Sequence, residues 1–226
     1  MTKAPMMNAG MAKTRRGLIG MALGVAVMAG LSLLPGMTAP AAAEASATAQ
    51  KIADHFASIR SMSGEFVQFD ARGRQTGGKF YIQRPGKIRF NYDGSAGFKV
   101  ISDGDSVVLE NPKMKTMDLY PLSKTPLKLL LDDRIDLSGS KVRSVKEEPD
   151  QTVIQLVDKS AFGNSKITMK FDPANYELKE WTITDAQGKD TTIMIFNVKQ
   201  DVKLDQGLFA IDYKKNIELN SKKTNR

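Results

Sequence analysis

The sequence predicts a mainly β protein: a single antiparallel sheet, large enough to curl, with two helical segments. Three observations carry this. Around ten short segments alternate apolar and polar side chains with a period of two, at spacings of roughly 8–12 residues. Tight-turn residues separate them, as at Pro85-Gly86, Asp103-Gly104-Asp105, Asn111-Pro112 and Asp185-Ala186-Gln187-Gly188. Only two stretches read as helical, and neither a fixed-period repeat nor a linker divides the chain. One domain follows.

The first 45 residues read as a targeting segment. Lys13, Arg15 and Arg16 precede an uncharged run from Leu18 to Leu34, which Pro35-Gly36 breaks. Small residues follow, giving cleavage frames that end at Ala43 or at Ala45. The run nearly reaches the length of a membrane anchor, but its Gly and Ala content and small-residue exit favour removal. Thr14-Arg15-Arg16 leaves both general secretion and twin-arginine export open. The chain carries a formal charge of +8. Lys3, Lys13, Arg15 and Arg16 against Glu44 account for +3 of it, and the remaining +5 marks no nucleic-acid partner.

The domain is therefore expected over residues 46–226. Its first helix is predicted over Ala47 to Met62, where Ile52, Phe56 and Ile59 share a face with Ala49 and Ala53, and His55 sits on the flank. The period then drops to two around Phe66 and Gln68, in Phe80 and Ile82, and in Ile88, Phe90 and Tyr92. Strands continue through Phe98–Ser102, Val107–Leu109 and Met114–Tyr120. Thr125-Pro126 then reads as a helix start, with Thr125 as the cap. Leu127, Leu129, Leu130 and Leu131 follow, four leucines in five positions, too many for one narrow stripe. Such a helix is either short core or a surface offering leucines to something other than a permanent core. Strands resume at Val142, at Ile154 and Leu156, at Ile167, Met169 and Phe171, around Trp181, and over Thr191–Val198. Leu204, Phe209 and Ile211 end the pattern before a polar, basic tail.

Catalytic chemistry finds little to stand on. The chain has no cysteine and one histidine, which excludes thiol catalysis and cysteine-type metal sites. G-x-S-x-G, H-E-x-x-H and the P-loop are absent. Ser138-Gly139-Ser140-Lys141 matches S-x-x-K, but it lies in a glycine loop without companion motifs. The pairs Asp132/Asp133 and Glu147/Glu148 are adjacent in sequence, so their side chains diverge and cannot flank a substrate. No enzyme, no metal and no cofactor is expected. One charge is out of place: Arg84 falls in phase with Phe80 and Ile82. If Pro85-Gly86 ends the strand, Arg84 is a solvated turn residue, the reading residue statistics favour. If the strand continues, its guanidinium stands at the mouth of an apolar cup, able to donate to the carbonyls of a covering helix.

Phe66-Val67-Gln68, then Gly78-Lys79-Phe80-Tyr81-Ile82-Gln83-Arg84-Pro85-Gly86-Lys87-Ile88-Arg89-Phe90, then Ser102-Asp103-Gly104 and Thr125-Pro126-Leu127 resemble the LolA family of periplasmic outer-membrane lipoprotein carriers. The resemblance runs from the first helix to a final short strand, and the R-P-x-x-x-x-[FW] stretch is its most specific part. It implies an incomplete antiparallel β-barrel covered by short α-helices, with an apolar cavity for the acyl chains of lipoproteins. It implies that Arg84 bonds to the lid and controls its opening. Phe66, Phe80, Ile82, Ile88, Phe90, Leu127, Leu130, Leu131, Ile167, Met169 and Trp181 are the expected lining of that cavity. Ile88 stands where the carriers often have an aromatic residue. The implied setting is the periplasm, where a monomer takes acylated lipoproteins from an inner-membrane lipoprotein-releasing ABC transporter complex to an outer-membrane acceptor or receptor.

Physical chemistry supports such a task. Each buried methylene is worth ~0.8 kcal/mol, so acyl chains cannot cross water unshielded. A lid whose leucines fill the empty cavity would weaken net binding, and hand-off needs that. The second expectation is a lipid-sensing regulatory module of the same fold, which would bind a partner through an added domain. The 181 residues expected after position 45 leave little room for one. N-terminal sequencing of exported material should begin at Glu44 or Ser46. An intact, membrane-bound form starting at Met1 would contradict the targeting reading.

Overall fold

The computed structural model describes residues 46–94, 97–135, 137, 141–160 and 163–224. The targeting segment and Ser138 to Ser140 of the S-x-x-K match lie outside them. Eleven strands make one antiparallel sheet: β1 (Ser61–Phe69), β2 (Gln75–Gln83), β3 (Lys87–Tyr92), β4 (Lys99–Asp103), β5 (Ser106–Asn111), β6 (Thr116–Pro121), β7 (Val142–Glu147), β8 (Thr152–Ser160), β9 (Gly163–Phe171), β10 (Leu178–Thr184) and β11 (Asp190–Gln200). Their spatial order is β6-β5-β4-β3-β2-β1-β11-β10-β9-β8-β7. Every neighbouring pair is consecutive in sequence except β1 with β11, the first and last strands. The two edges, β6 and β7, are consecutive yet unpaired. The sheet is thus an up-and-down barrel left open at one seam, and α2 (Leu127–Leu131) lies in the chain that joins the two edges.

Strand alternation assigns the two faces. Phe66, Phe80, Ile82, Ile88, Phe90, Ile154, Ile167, Met169 and Trp181 share one buried apolar face. Helix α1 (Ala47–Ser58) packs there through Ile52, Ala53 and Phe56, its N-terminus capped by Ser46 Oγ, which accepts the Ala49 N–H at 3.1 Å. The helix is shorter than the sequence suggests. It ends at Ser58, and Ile59 is extended, because Ser61 and Met62 pair with Gln83 and Ile82 of β2. Thr125 also departs from expectation. Its hydroxyl donates back to the Leu122 carbonyl at 2.9 Å, and Pro126 occupies the N-cap of α2 without a side-chain cap.

The largest difference is at the C-terminus. The expected last strand is a 3-10 turn over Gln206–Phe209, and the expected tail is a third helix, α3 (Tyr213–Thr224). Both cover the opposite face of the sheet. Ile101, Val108 and Met117 point outward there, and Ile211 and Leu219 pack on them. Asn216 Nδ2 donates to the Met117 carbonyl at 2.7 Å, Lys215 pairs with Glu110, and Arg89 Nη1 donates to the Leu208 carbonyl at 2.9 Å. A helix with so few apolar residues has little intrinsic drive to form alone, and tertiary contact supplies it.

Two glycines set how tightly the sheet curls. A Cβ on Gly78 would lie 2.1 Å from the Asn91 carbonyl oxygen and 2.7 Å from the Phe66 ring. One on Gly64, at the β1/β11 bulge, would lie 2.8 Å from the Phe80 ring. The core rings therefore rest on bare backbone. Gly78→Ala should cost about 3 kcal/mol in urea unfolding, since backbone has to move. Gly73→Ala, with φ 73° but open space around it, should cost only about 1 kcal/mol. Equal losses would show that the sheet relaxes around the added methyl at Gly78 and that the close approach there is not limiting.

Candidate functional site

The site is built where the ends of both lid helices meet the β2–β3 turn. The Arg84 N–H donates to the Arg60 carbonyl at 2.8 Å, continuing the ladder one step beyond β2. That step carries the side chain inward with Phe80 and Ile82, and Arg84 is only 4% exposed. Its Nη1 donates to the Ile59 carbonyl at the end of α1 at 3.0 Å, and its Nη2 to the Leu130 carbonyl of α2 at 3.1 Å. The Gly86 N–H donates to the Leu131 carbonyl at 3.1 Å. Gly86 has φ 76°, and a Cβ there would lie 2.8 Å from Gly104 Cα, so the β2–β3 turn sits against the Asp103-Gly104-Asp105 hairpin. Carbonyls in the last turn of a helix have no partner within it, and a guanidinium fork suits two at once.

The guanidinium carbon also lies 4.1 Å from the centre of the Phe56 ring, a cation–π contact from α1. Periodicity placed Phe56 on the packed face of the first helix, but nothing in the sequence tied it to Arg84. Burial, followed by the nearby positive charge of Arg60, pushes the Arg84 pKa down to about 10, and Asp133 opposes this. Arg84 thus stays protonated near neutrality, at a cost on the order of 3 kcal/mol. The Arg60–Asp133 pair, at 3.0 Å, is more than half exposed and contributes little. Arg84 Nε has no partner among the described residues.

The residues expected to line a cavity lie in one apolar cluster with the helices. Phe66, Phe80, Ile82, Ile88, Leu130, Leu131, Ile167, Met169 and Trp181 are fully buried, Phe90 nearly so, and Leu127 packs against them half-buried. Side chains of α1 and α2, together with Ile135 and Leu137, fill the cup. The cup is thus packed by the protein's own side chains. Beside the end of α1 a groove of about 320 Å³ has a mixed lining, with Phe56, Ile59, Met62 and Ile195 beside Glu177, Lys179, Asn197 and Gln200. Among the described residues no acidic or histidine cluster could hold a metal, and no helix is long and apolar enough to cross a membrane.

The family model described as outer membrane lipoprotein carrier protein LolA matches residues 57–212. The chain belongs to the LolA family. The matched stretch begins beside Phe56 and contains Arg84, α2 and all eleven strands. Similar LolA-family relatives include the outer-membrane lipoprotein carrier protein of Pseudomonas paraeruginosa, 24% identical and covering 80% of this chain and 91% of the relative. That of Methylococcus capsulatus is 26% identical, with coverages of 79% and 90%. Among solved structures, a LolA superfamily protein from Nitrosomonas europaea is similar at TM-score 0.43 and 13% identity, over 74% of this chain and 100% of that one. The Pseudomonas aeruginosa MucA/MucB complex is similar at 0.40 and 11%, over 73% and 60%.

Tyr92 packs against the apolar cluster, its hydroxyl donating to Gln68 Oε1 at 2.6 Å and its ring against Phe66 and Phe98. Burial pushes its pKa up to about 12. The folded state thus favours the protonated phenol, and its contribution is full below pH 10 and lost as pH rises from there through about 12. Absorbance at 295 nm should show a tyrosine step near pH 12, and Tyr92→Phe should abolish it while leaving that of the upward-shifted Tyr213 in place. A step near pH 12 that persists in the variant would place the buried phenol elsewhere.

Proposed function

We propose that this chain is a periplasmic carrier that shields the acyl chains of lipoproteins in its apolar cup and moves them from the inner to the outer membrane. The observation that carries the reading is the joint pinning of both lid helices by one buried arginine. Such a lid can leave as a unit, because α1 and α2 are held at their C-terminal ends by the same short segment, Arg84 to Gly86. The side chains that fill the cup belong largely to the helices that would leave. Opening exchanges leucine contacts for acyl contacts, so net affinity is the difference of two similar terms. The groove beside Phe56 gives an amphiphile its first foothold. No catalytic step is needed.

Loading in this reading comes from an inner-membrane lipoprotein-releasing ABC transporter complex, and unloading goes to an outer-membrane acceptor or receptor. Arg84 acts as the latch. Replacing it with leucine removes the fork and leaves the Ile59 and Leu130 carbonyls without their donor, while the sheet keeps its ladders. The closed empty state loses stability, so acyl binding tightens and release slows. In a transfer assay at equal loading, Arg84→Leu should slow hand-off to acceptor membranes about tenfold, and Arg84→Lys should recover it only partly. Unchanged hand-off would remove the latch. Failure of the parent protein to load lipoprotein at all would return the fold to the regulatory reading.

A further inference from the structure

Trp181 is the only tryptophan in the chain and is completely buried in the middle of the cup. It stands on β10 between Met169 of β9 and Ile193 of β11, with the Phe90 ring 6.1 Å away. Its indole Nε1–H meets no acceptor among the described residues. Buried tryptophans ordinarily find a partner for this group, because an unmade hydrogen bond in an apolar setting carries the full cost of desolvation. The other orphaned donor, Arg84 Nε, belongs to the lid contact already described. Trp181 has no such duty. A phenylalanine would pack in the same apolar surroundings without leaving a donor unmet.

The surroundings define what would satisfy it. The site is apolar, and the indole is neutral and a donor only. An anion would bring a charge that these apolar surroundings leave uncompensated. A neutral carbonyl oxygen brings an acceptor and no charge. An acyl chain joined through an ester or amide carries that oxygen at the head of its hydrocarbon, whereas an ether-linked chain does not. We propose that Trp181 Nε1–H hydrogen-bonds an acyl carbonyl of the bound lipid, making the cup selective for ester- or amide-linked chains over ether-linked ones. The inference rests on the carrier reading and adds a polar recognition element to a pocket otherwise built on hydrocarbon contact. Discrimination of this kind comes from the ligand that leaves the donor unpaired.

The single tryptophan makes the test direct. The full chain is titrated with a soluble lipopeptide carrying two palmitoyl esters, and separately with its counterpart carrying two hexadecyl ethers. The ester form should bind about tenfold more tightly and shift the indole emission to the red, as hydrogen bonding to an excited indole does. The ether form should bind without that shift. Trp181→Phe, checked for an unchanged thermal transition, should bind both forms alike. Equal affinities in the parent protein, or an ester preference that survives in Trp181→Phe, would overturn the assignment and leave the carrier reading standing. Binding of neither lipopeptide, together with failure to load intact lipoprotein, would overturn both.

Discussion

The cover on the apolar side of this sheet is positioned by four hydrogen bonds that Arg84 and Gly86 donate. Two backbone N–H groups and two guanidinium nitrogens donate to the carbonyls of Ile59, Arg60, Leu130 and Leu131. Those carbonyls end α1, begin β1 and lie in α2. The β2–β3 turn therefore fixes where the first helix stops, where the first strand starts and where the seam-bridging helix docks. An arginine suits the place because its planar fork spans two acceptors on different elements. It is also a poor permanent fastener. Among the described residues the desolvated charge has no carboxylate partner and one nitrogen is unmatched, and part of its support is the Phe56 ring.

The balance between those terms gives the site its character. Burial of the cation costs on the order of 3 kcal/mol. Two charge-assisted hydrogen bonds and a desolvated cation–π contact return a similar amount. Packed leucines strengthen the same balance, since α2 spans only five residues and cannot be helical on propensity alone. Its shape exists because the cup accepts its side chains.

The two faces of the sheet are covered in different ways. Outside, the C-terminal segment follows β11 directly and is tied by Asn216 to the Met117 carbonyl, by Lys215 to Glu110 and by Leu208 to Arg89. These contacts hold the strap across β3 to β6 without touching the cup. Inside, α1 and α2 are held by apolar packing and by the arginine. The inner cover rests mainly on a broad apolar floor, and the outer one on a small apolar cluster and polar ties. The open seam contributes as well. A barrel closed between β6 and β7 would trade the helical cover for one more ladder of backbone bonds.

The strands and their order of appearance were legible from residues alone, because period-two alternation reports which side chains share a face, and Asp-Gly and Pro-Gly pairs report the turns. The leucine run from Leu127 to Leu131 was legible as surplus to a narrow stripe, and Arg84 as a charge in apolar phase. Tertiary structure decided which way Arg84 goes. Its acceptors lie 25 and 46 residues away, and nothing local distinguishes a strand that runs one step further from one that stops at Pro85. The end of α1 at Ser58 was likewise set by pairing with β2, against a periodicity that continued to Met62. Helix α3 was invisible as a helix, since its partners on the outer face are single residues on three strands, and its docking residue, Asn216, is polar. Sequence determines alternation and turns because those are properties of neighbours. Closure, capping and covering join residues far apart in the chain, and only the folded sheet brings them together.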